Sequence, residues 1–379
     1  MRRADPAERE RLGALFSELC RIESPSGLEG ACAERVGAEL RELGLEVEED
    51  AAGEAVGGDS GNLLARVPGA PDAPWVLMCA HLDTVAPTAP IEPVVVAGGW
   101  ENAHDGILGA DNKSAVAALL VLARRYVAET PAVGLELLFT VGEEDALAGV
   151  KELDVSRLRS QFGYVFDHAS PIGEVVVASP SYHRVQAEFH GAAAHAGIRP
   201  EDGRSAISAA AHAIAKMPLG RLDPETTANV GLIEGGSGGN VVPERCRLLG
   251  EARSLDASRA ERAVQAMIDA LHDGAGAAEC DLDVSSQCLF HGYRTEPGAP
   301  AIRAAEAALR ACGYQPRHIV TGGGSDANAL EAGGLTCVNL ANGTERNHEP
   351  TERVSVAALE GALDVALALP DAAAGIIAA

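Results

Sequence analysis

At 379 residues, 47% of them hydrophobic, the chain is long for one core and points to two domains. Thirty Lys and Arg against 55 Asp and Glu leave a formal charge of −25 and an isoelectric point near 4.8, which repels phosphate backbones and anionic membrane surfaces and argues against nucleic acid as a partner. No segment reaches the roughly 18 apolar residues of a membrane span, and "MRRADPAERERLGALFSELC" lacks the unbroken apolar run of a signal peptide, so the expectation is a cytoplasmic protein without membrane contact.

In chain order, Leu12, Leu15, Phe16, Leu19 and Ile22 follow a helical period before the break "SPSG". The run "WVLMCA", a helical "SAVAALLVLARRYV", then "LELLFTV" and "GYVFD" set strands and helix in turn, which argues an α/β domain on a mostly parallel sheet. From about Ser181 the texture changes. "RVQAEFH" alternates through Val185, Ala187 and Phe189 as a half-buried strand, and "SAISAAAHAIAKM" is helical with Ile207, Ile214 and Met217 on one face. Strands in "TANVGLIEGG" and "CRLLGEARS", a helix in "SRAERAVQAMIDALHD" and a strand in "DLDVSSQCLF" complete a β-α-β-β-α-β order, the ferredoxin-like pattern of about 110 residues. The chain returns to α/β texture through "AIRAAEAALRACG", "TGGGSDANAL" and "LTCVNLANG". The expected division is residues 1–180 with 291–379 as one discontinuous domain, and 181–290 as an insertion. Eight cysteines without a CxxC pair read as reduced core thiols, not as zinc ligands.

The stretch "VLMCAHLDTV" ends an apolar strand with His81 and Asp83; Glu143 and Glu144 follow "LELLFTVG", and Asp167 ends "GYVF". In open parallel sheets the carboxyl ends of the strands share one edge, where ligands bind. Asp111 in "LGADNKSA" and His348 in "NGTERNHEP" fit the same place. Singly, each has a plainer use: a hydrogen-bonded turn for His-x-Asp, a helix N-cap for Asp111, a solvated loop for the paired glutamates. Together they do not stay ionised side by side without cations, because like charges raise one another's pKa. Mixed His and carboxylate ligands suit zinc, or cobalt or manganese.

The segments "HLDTV", "GADNKSA", "GEED", "FD" and "NHEP" resemble, in order and spacing, the co-catalytic zinc metallopeptidase family of peptidase T (tripeptidase), aminoacylases, succinyl-diaminopimelate desuccinylase and glutamate carboxypeptidases. The resemblance spans nearly the whole chain. "ADNKSAVA", "SYHRVQAEFHGAAAHAGIRPEDGRSA" and "GGGSDANAL" are most similar to the peptidase T-like branch. It implies a metal-dependent hydrolase of amide bonds in small peptides, a tripeptidase or aminopeptidase. An N-acyl- or N-succinyl-amino-acid amidohydrolase or a carboxypeptidase is the second reading, and a non-catalytic metal-binding relative is the reading from another class. A serine hydrolase using Ser325 is disfavoured, since "GGGSD" is not the GxSxG elbow.

Carried over by motif, the resemblance implies two divalent ions. His81, Asp111 and Asp167 would hold one, Asp111, Glu144 and His348 the other, with Asp111 bridging. Glu143 would be the general base and Asp83 the orienter of His81. In the inserted domain His195 would meet the oxyanion, while Asn240 and Arg253 would grip substrate; Ser325 and Asp326 would line its pocket. Related dimers bring the lid histidine to the neighbouring subunit's site. A four-stranded lid sheet leaves edges open to pairing, so a homodimer through residues 181–290 is expected, with His195 acting in trans.

Overall fold

The computed structural model describes residues 3–378 and divides into two compact units. One takes in the chain up to Ala178, Arg294–Thr321 and the chain from Ser325 onward; the other is Ser179–Tyr293 with Gly322–Gly324.

The larger unit is built on a mixed sheet whose centre is parallel. Strands Gly134–Thr140, Trp75–His81, Ser160–His168 and Cys337–Ala341 lie side by side in that order, all parallel. Leu63–Val67 flanks them antiparallel to Gly134–Thr140, and Glu174–Ser179 pairs antiparallel with Cys337–Ala341. The central strands are buried on both faces, which is why "VLMCA" and "LELLF" read as continuous apolar runs and not as alternating ones. Helix Ala110–Ala128 is likewise apolar all round: the sheet covers one side, and helices Pro6–Cys20 and Val356–Ile377 the other. The first helix opens on a capping box, Asp5 accepting the N–H of Glu8 and Glu8 that of Asp5, and buries Leu12, Leu15, Phe16 and Leu19 as expected.

A second, small antiparallel sheet went unread in the sequence. Thr344–Glu345 and Arg353–Ser355 form a hairpin, and Arg353–Ser355 also pairs with Gly99–Asn102, which pairs with Pro93–Val96. Its strands, of two to four residues, are too short to show a period.

The smaller unit has the expected β-α-β-β-α-β elements with one addition. Its sheet runs Gly220–Asp223, Thr226–Gly235, Arg245–Ser254, Ser181–His190, Asp281–Phe290, antiparallel throughout. The extra strand Gly220–Asp223 turns back on Thr226–Gly235 and covers the first part of that edge, with Asp281–Phe290 forming the other edge of the sheet. Helices Ala206–Lys216 and Ala257–Ala277 pack on one face, over Val185, Phe189 and Leu248, with Met267 of the second helix buried between. The buried stripe of the first of these helices is Ala206, Ala209, Ala210 and Ala213; of the three expected residues, Met217 is buried and Ile214 packs half-buried on the same core, but Ile207 is 39% exposed. Small residues win because the helices touch closely: a Cβ on Gly274 would stand 2.5 Å from Ala209 O. The cysteines form no disulfide among the described residues and, Cys280 and Cys288 aside, are buried. No helix among the described residues is long and apolar enough to cross a membrane.

Candidate functional site

The carboxyl ends of the four parallel strands gather the ionisable residues. His81 is the last residue of its strand and 1% exposed. Its Nδ1 lies 3.0 Å from the Asp83 carbonyl and 3.2 Å from Asp83 Oδ1. That nitrogen is placed to donate to Asp83, and Nε2 faces Asp111 Oδ1 at 3.2 Å and Asp167 Oδ1 at 3.5 Å.

Asp83 does more than orient the ring. It accepts Ser26 Oγ at 2.7 Å and the backbone N–H groups of Glu143 and Glu144, each at 3.0 Å. Burial alone would raise its pKa, but these donors, His81 first, hold the carboxyl below its usual range. The two glutamates follow Gly142, whose φ of 62° suits glycine, and the Gly142 N–H is accepted by buried Glu29 at 2.9 Å. Ser26 and Glu29 come from the "SPSGLEG" stretch, which the sequence marked only as a break.

Asp111 sits where helix Ala110–Ala128 is interrupted, with φ −82° and ψ 103°. Its Oδ2 accepts Asn347 Nδ2 at 2.8 Å and lies 3.3 Å from His348 Nε2. That same nitrogen is 2.7 Å from Glu144 Oε1. The donor atoms of His81, Asp111 and Asp167 lie within 4.8 Å of one another, as do those of Asp111, Glu144 and His348; a third set joins His81, Glu143 and Glu144. Asp111 belongs to both of the first two.

So placed, the groups are in conflict. Burial, then the charge of Asp167, pushes Glu143 well above the carboxylate range; burial, then Asp111, does the same to Asp167. Burial would lower His81, yet Asp167, Asp111 and Asp83 raise it well above an ordinary imidazole, and hydrogen bonds to Asp111 and Glu144 lift His348 to about 10. A cation between the oxygens and the ring nitrogens relieves this repulsion. The donor set, imidazole nitrogen with carboxylate oxygen, fits two divalent ions of the zinc type.

Ser325 and Asp326, expected on a pocket wall, are internal, each 1% exposed. Ser325 opens helix Asp326–Ala332, its N–H accepted by Asn328 Oδ1 at 3.1 Å. Asp326 Oδ2 accepts from Thr140 Oγ1 and faces Cys79 Sγ at 3.6 Å, and burial pushes it up to about 6. The bonds these two residues make lie inside the larger unit, beneath the strand ends.

The remaining candidates belong to the smaller unit. His195 and Asn240 are exposed and adjacent: His195 bridges to Val241, and the Ala196 N–H donates to the Asn240 carbonyl at 3.0 Å. Arg253 pairs with Glu251 through two N–H···O bonds of 3.2 and 3.1 Å and stacks over Tyr182 at 4.2 Å. A third N–H donates to the Gly322 carbonyl at 3.2 Å. In the same glycine run Gly324 passes so near the ring of Phe290 that a Cβ would fall 2.3 Å from it.

Residues 177–279 match the family model described as the peptidase dimerisation domain of the M20 type, and residues 62–168 match that of peptidase family M28. The chain is similar to an aminopeptidase PepT of Bacillus cereus, with 36% identity and a TM-score of 0.87 over 97% of this chain and 99% of that one. It is similar to a tripeptidase of Staphylococcus aureus, with 31% identity and a TM-score of 0.91 over the same shares, 97% and 99%. A probable carboxypeptidase of Paracoccidioides brasiliensis is 32% identical across 71% of this chain and 67% of its own length.

Proposed function

Because the chain belongs to the M20-type metallopeptidases, on their peptidase T-like branch, we propose that it cleaves peptide bonds of small peptides as a tripeptidase or aminopeptidase. In this reading His81, Asp111 and Asp167 hold one divalent ion, and Asp111, Glu144 and His348 the other, zinc by preference. The observation that carries it is the sharing of Asp111 by two ligand triplets with Glu143 beside them.

When bound, such ions supply Lewis acidity, lowering the pKa of water and polarising a carbonyl. Glu143 takes the proton of the attacking water and returns it to the leaving amine. Its main chain is held by Asp83, which sets where its side chain starts from. The burial that raises its pKa strengthens its carboxylate as a base for the first transfer. Asp83 holds His81 in the tautomer that presents Nε2. Arg253, flattened on Tyr182, takes a terminal carboxylate, Asn240 holds the peptide chain, and His195 donates to the carbonyl oxygen as it becomes anionic. The match of residues 177–279 to a dimerisation domain supports a homodimer through the smaller unit; in this reading His195 serves the partner's site.

The second reading, a carboxypeptidase, is favoured by the probable carboxypeptidase among its relatives. Di- and tripeptides, their N-acetylated forms and their C-terminal amides, assayed with zinc, cobalt and manganese, separate the two. Cleavage that needs a free α-amino group supports the aminopeptidase; cleavage of N-acetylated peptides that fails with C-terminal amides replaces it by the carboxypeptidase.

A further inference from the structure

Helix Ala110–Ala128 starts without a side-chain cap of its own, since Gly109 stands at the N-cap position with φ 72°. The first N–H groups of a helix need acceptors from elsewhere. Here the Asp111 N–H, with two N–H groups just before the helix, finds its acceptor in a residue 241 positions away. Glu352, 2% exposed, accepts the N–H of Leu108 at 2.8 Å and of Gly109 at 2.9 Å on Oε2, and that of Asp111 at 2.9 Å on Oε1. Three bonds to one carboxylate fix the main chain on both sides of Ala110.

The same hairpin tip reaches the other end of Asp111. Between strands Thr344–Glu345 and Arg353–Ser355 it carries Asn347, which donates to Asp111 Oδ2 at 2.8 Å, and His348, 3.3 Å from that oxygen. Arg353–Ser355 is paired to Gly99–Asn102, so the tip has a fixed base. Asp111 is thus held at its main chain by Glu352 and at its side chain by Asn347.

We propose that Glu352 is the positioning residue of Asp111: it sets the main chain at 108–111 so that the two carboxylate oxygens face their separate ligand partners, and its loss disturbs both metal positions together. The inference rests on reading the two triplets as cation sites. A residue that merely capped the helix would lower stability and leave cation affinity in the folded protein untouched.

The test uses the full chain, stripped with a chelator, with folding checked by circular dichroism. Zinc is titrated calorimetrically and cobalt is followed by its visible spectrum. Wild type should take up two ions. Glu352→Gln, whose amide turns an N–H₂ toward donors that need an acceptor, should fold but bind both ions roughly 10–100-fold more weakly, with kcat lowered more than KM at saturating metal. His348→Ala, the control, should weaken one ion only. If Glu352→Gln does not fold, Glu352→Asp, which keeps the charge but sets the acceptors back by one methylene, carries the same measurement. A folded variant that binds both ions as wild type does, or that loses only one, overturns the role of Glu352 alone. Wild type that binds no divalent ion overturns the two-cation reading and this inference with it.

Discussion

The candidate residues of the larger unit and those of the smaller are held in opposite ways. His81, Asp83, Asp111 and Glu143 are buried, and each is bonded to groups from distant parts of the chain, so their geometry is set before anything binds. His195 and Asn240 are exposed and bonded only to their neighbours in the fold. Hydrolysis at a cation pair needs ligands fixed in advance, whereas recognition of varied peptides tolerates groups that settle around the ligand. Substitutions in the larger unit should therefore act on the chemical step, and those in the smaller unit on recognition or on the partner.

The hardest break of that contrast is Glu143→Gln. It keeps size and the backbone bond to Asp83 but cannot take a proton, so kcat should fall roughly 10²–10⁴-fold with both ions retained and KM little changed. Near-normal turnover in the metal-replete variant would remove Glu143 from the base role.

Next in size is a complementation between the units. If His195 works across a dimer, inactive Glu143→Gln and inactive His195→Ala chains, mixed and allowed to exchange, should regain up to roughly a quarter of wild-type activity, since half the dimers are mixed and one of their two sites is whole. If His195 serves its own chain, no mixed site is whole. Exchange shown by a labelled subunit, without recovery, would decide for that arrangement.

A smaller effect is expected at Arg253. Losing a charged hydrogen bond to a substrate carboxylate costs about 1.5–3 kcal/mol, which is roughly ten- to a hundredfold in kcat/KM for peptides with a free C-terminus. The amidated peptide should show no such loss. Equal losses on both substrates would mean that the pairing with Glu251 and Tyr182 is structural only.

The same contrast explains what could be read from sequence. His81, Glu143, Glu144 and Asp167 were visible because ionisable residues at the ends of long apolar runs break a strong pattern, and a parallel sheet brings such ends to one edge, whereas Asp111 and His348 were picked out through the motifs that resemble a known family. Ser26, Glu29, Asn347 and Glu352 were not, because their partners lie 57, 113, 236 and about 240 positions away, and nothing local distinguishes them from loop residues. Ser325 and Asp326 were misplaced for a related reason: glycines before a helix suggest a surface, while the burial of Asp326 is decided by Thr140 and Cys79 of other strands. In the smaller unit the periodicity gave the elements, but the helix Ala206–Lys216 turned its alanines inward because a neighbouring glycine lets the two helices close up.

The contrast can also be sharpened inside the larger unit, where His81 is buried but the side chain of His348 is 49% exposed. In metal-free protein the His348 pKa stands at about 10 against an ordinary 6.5, because Asp111 and Glu144 accept from its ring. A folded-state pKa above the unfolded one means that the imidazolium contributes stability fully below pH 6.5 and loses it as pH climbs through 10. Chelator-treated wild type should therefore lose melting temperature between pH 6.5 and 10, and His348→Gln should lose less over that window. Solvent screens a half-exposed ring, so the difference in slope should be small, on the order of a few degrees. Zinc should abolish it, because a nitrogen that ligates a metal has no proton to release. Calorimetric scans that give parallel slopes for the two metal-free proteins would show that His348 does not engage Asp111 and Glu144 before metal arrives, and that the outer half of the site is ordered by the ion itself.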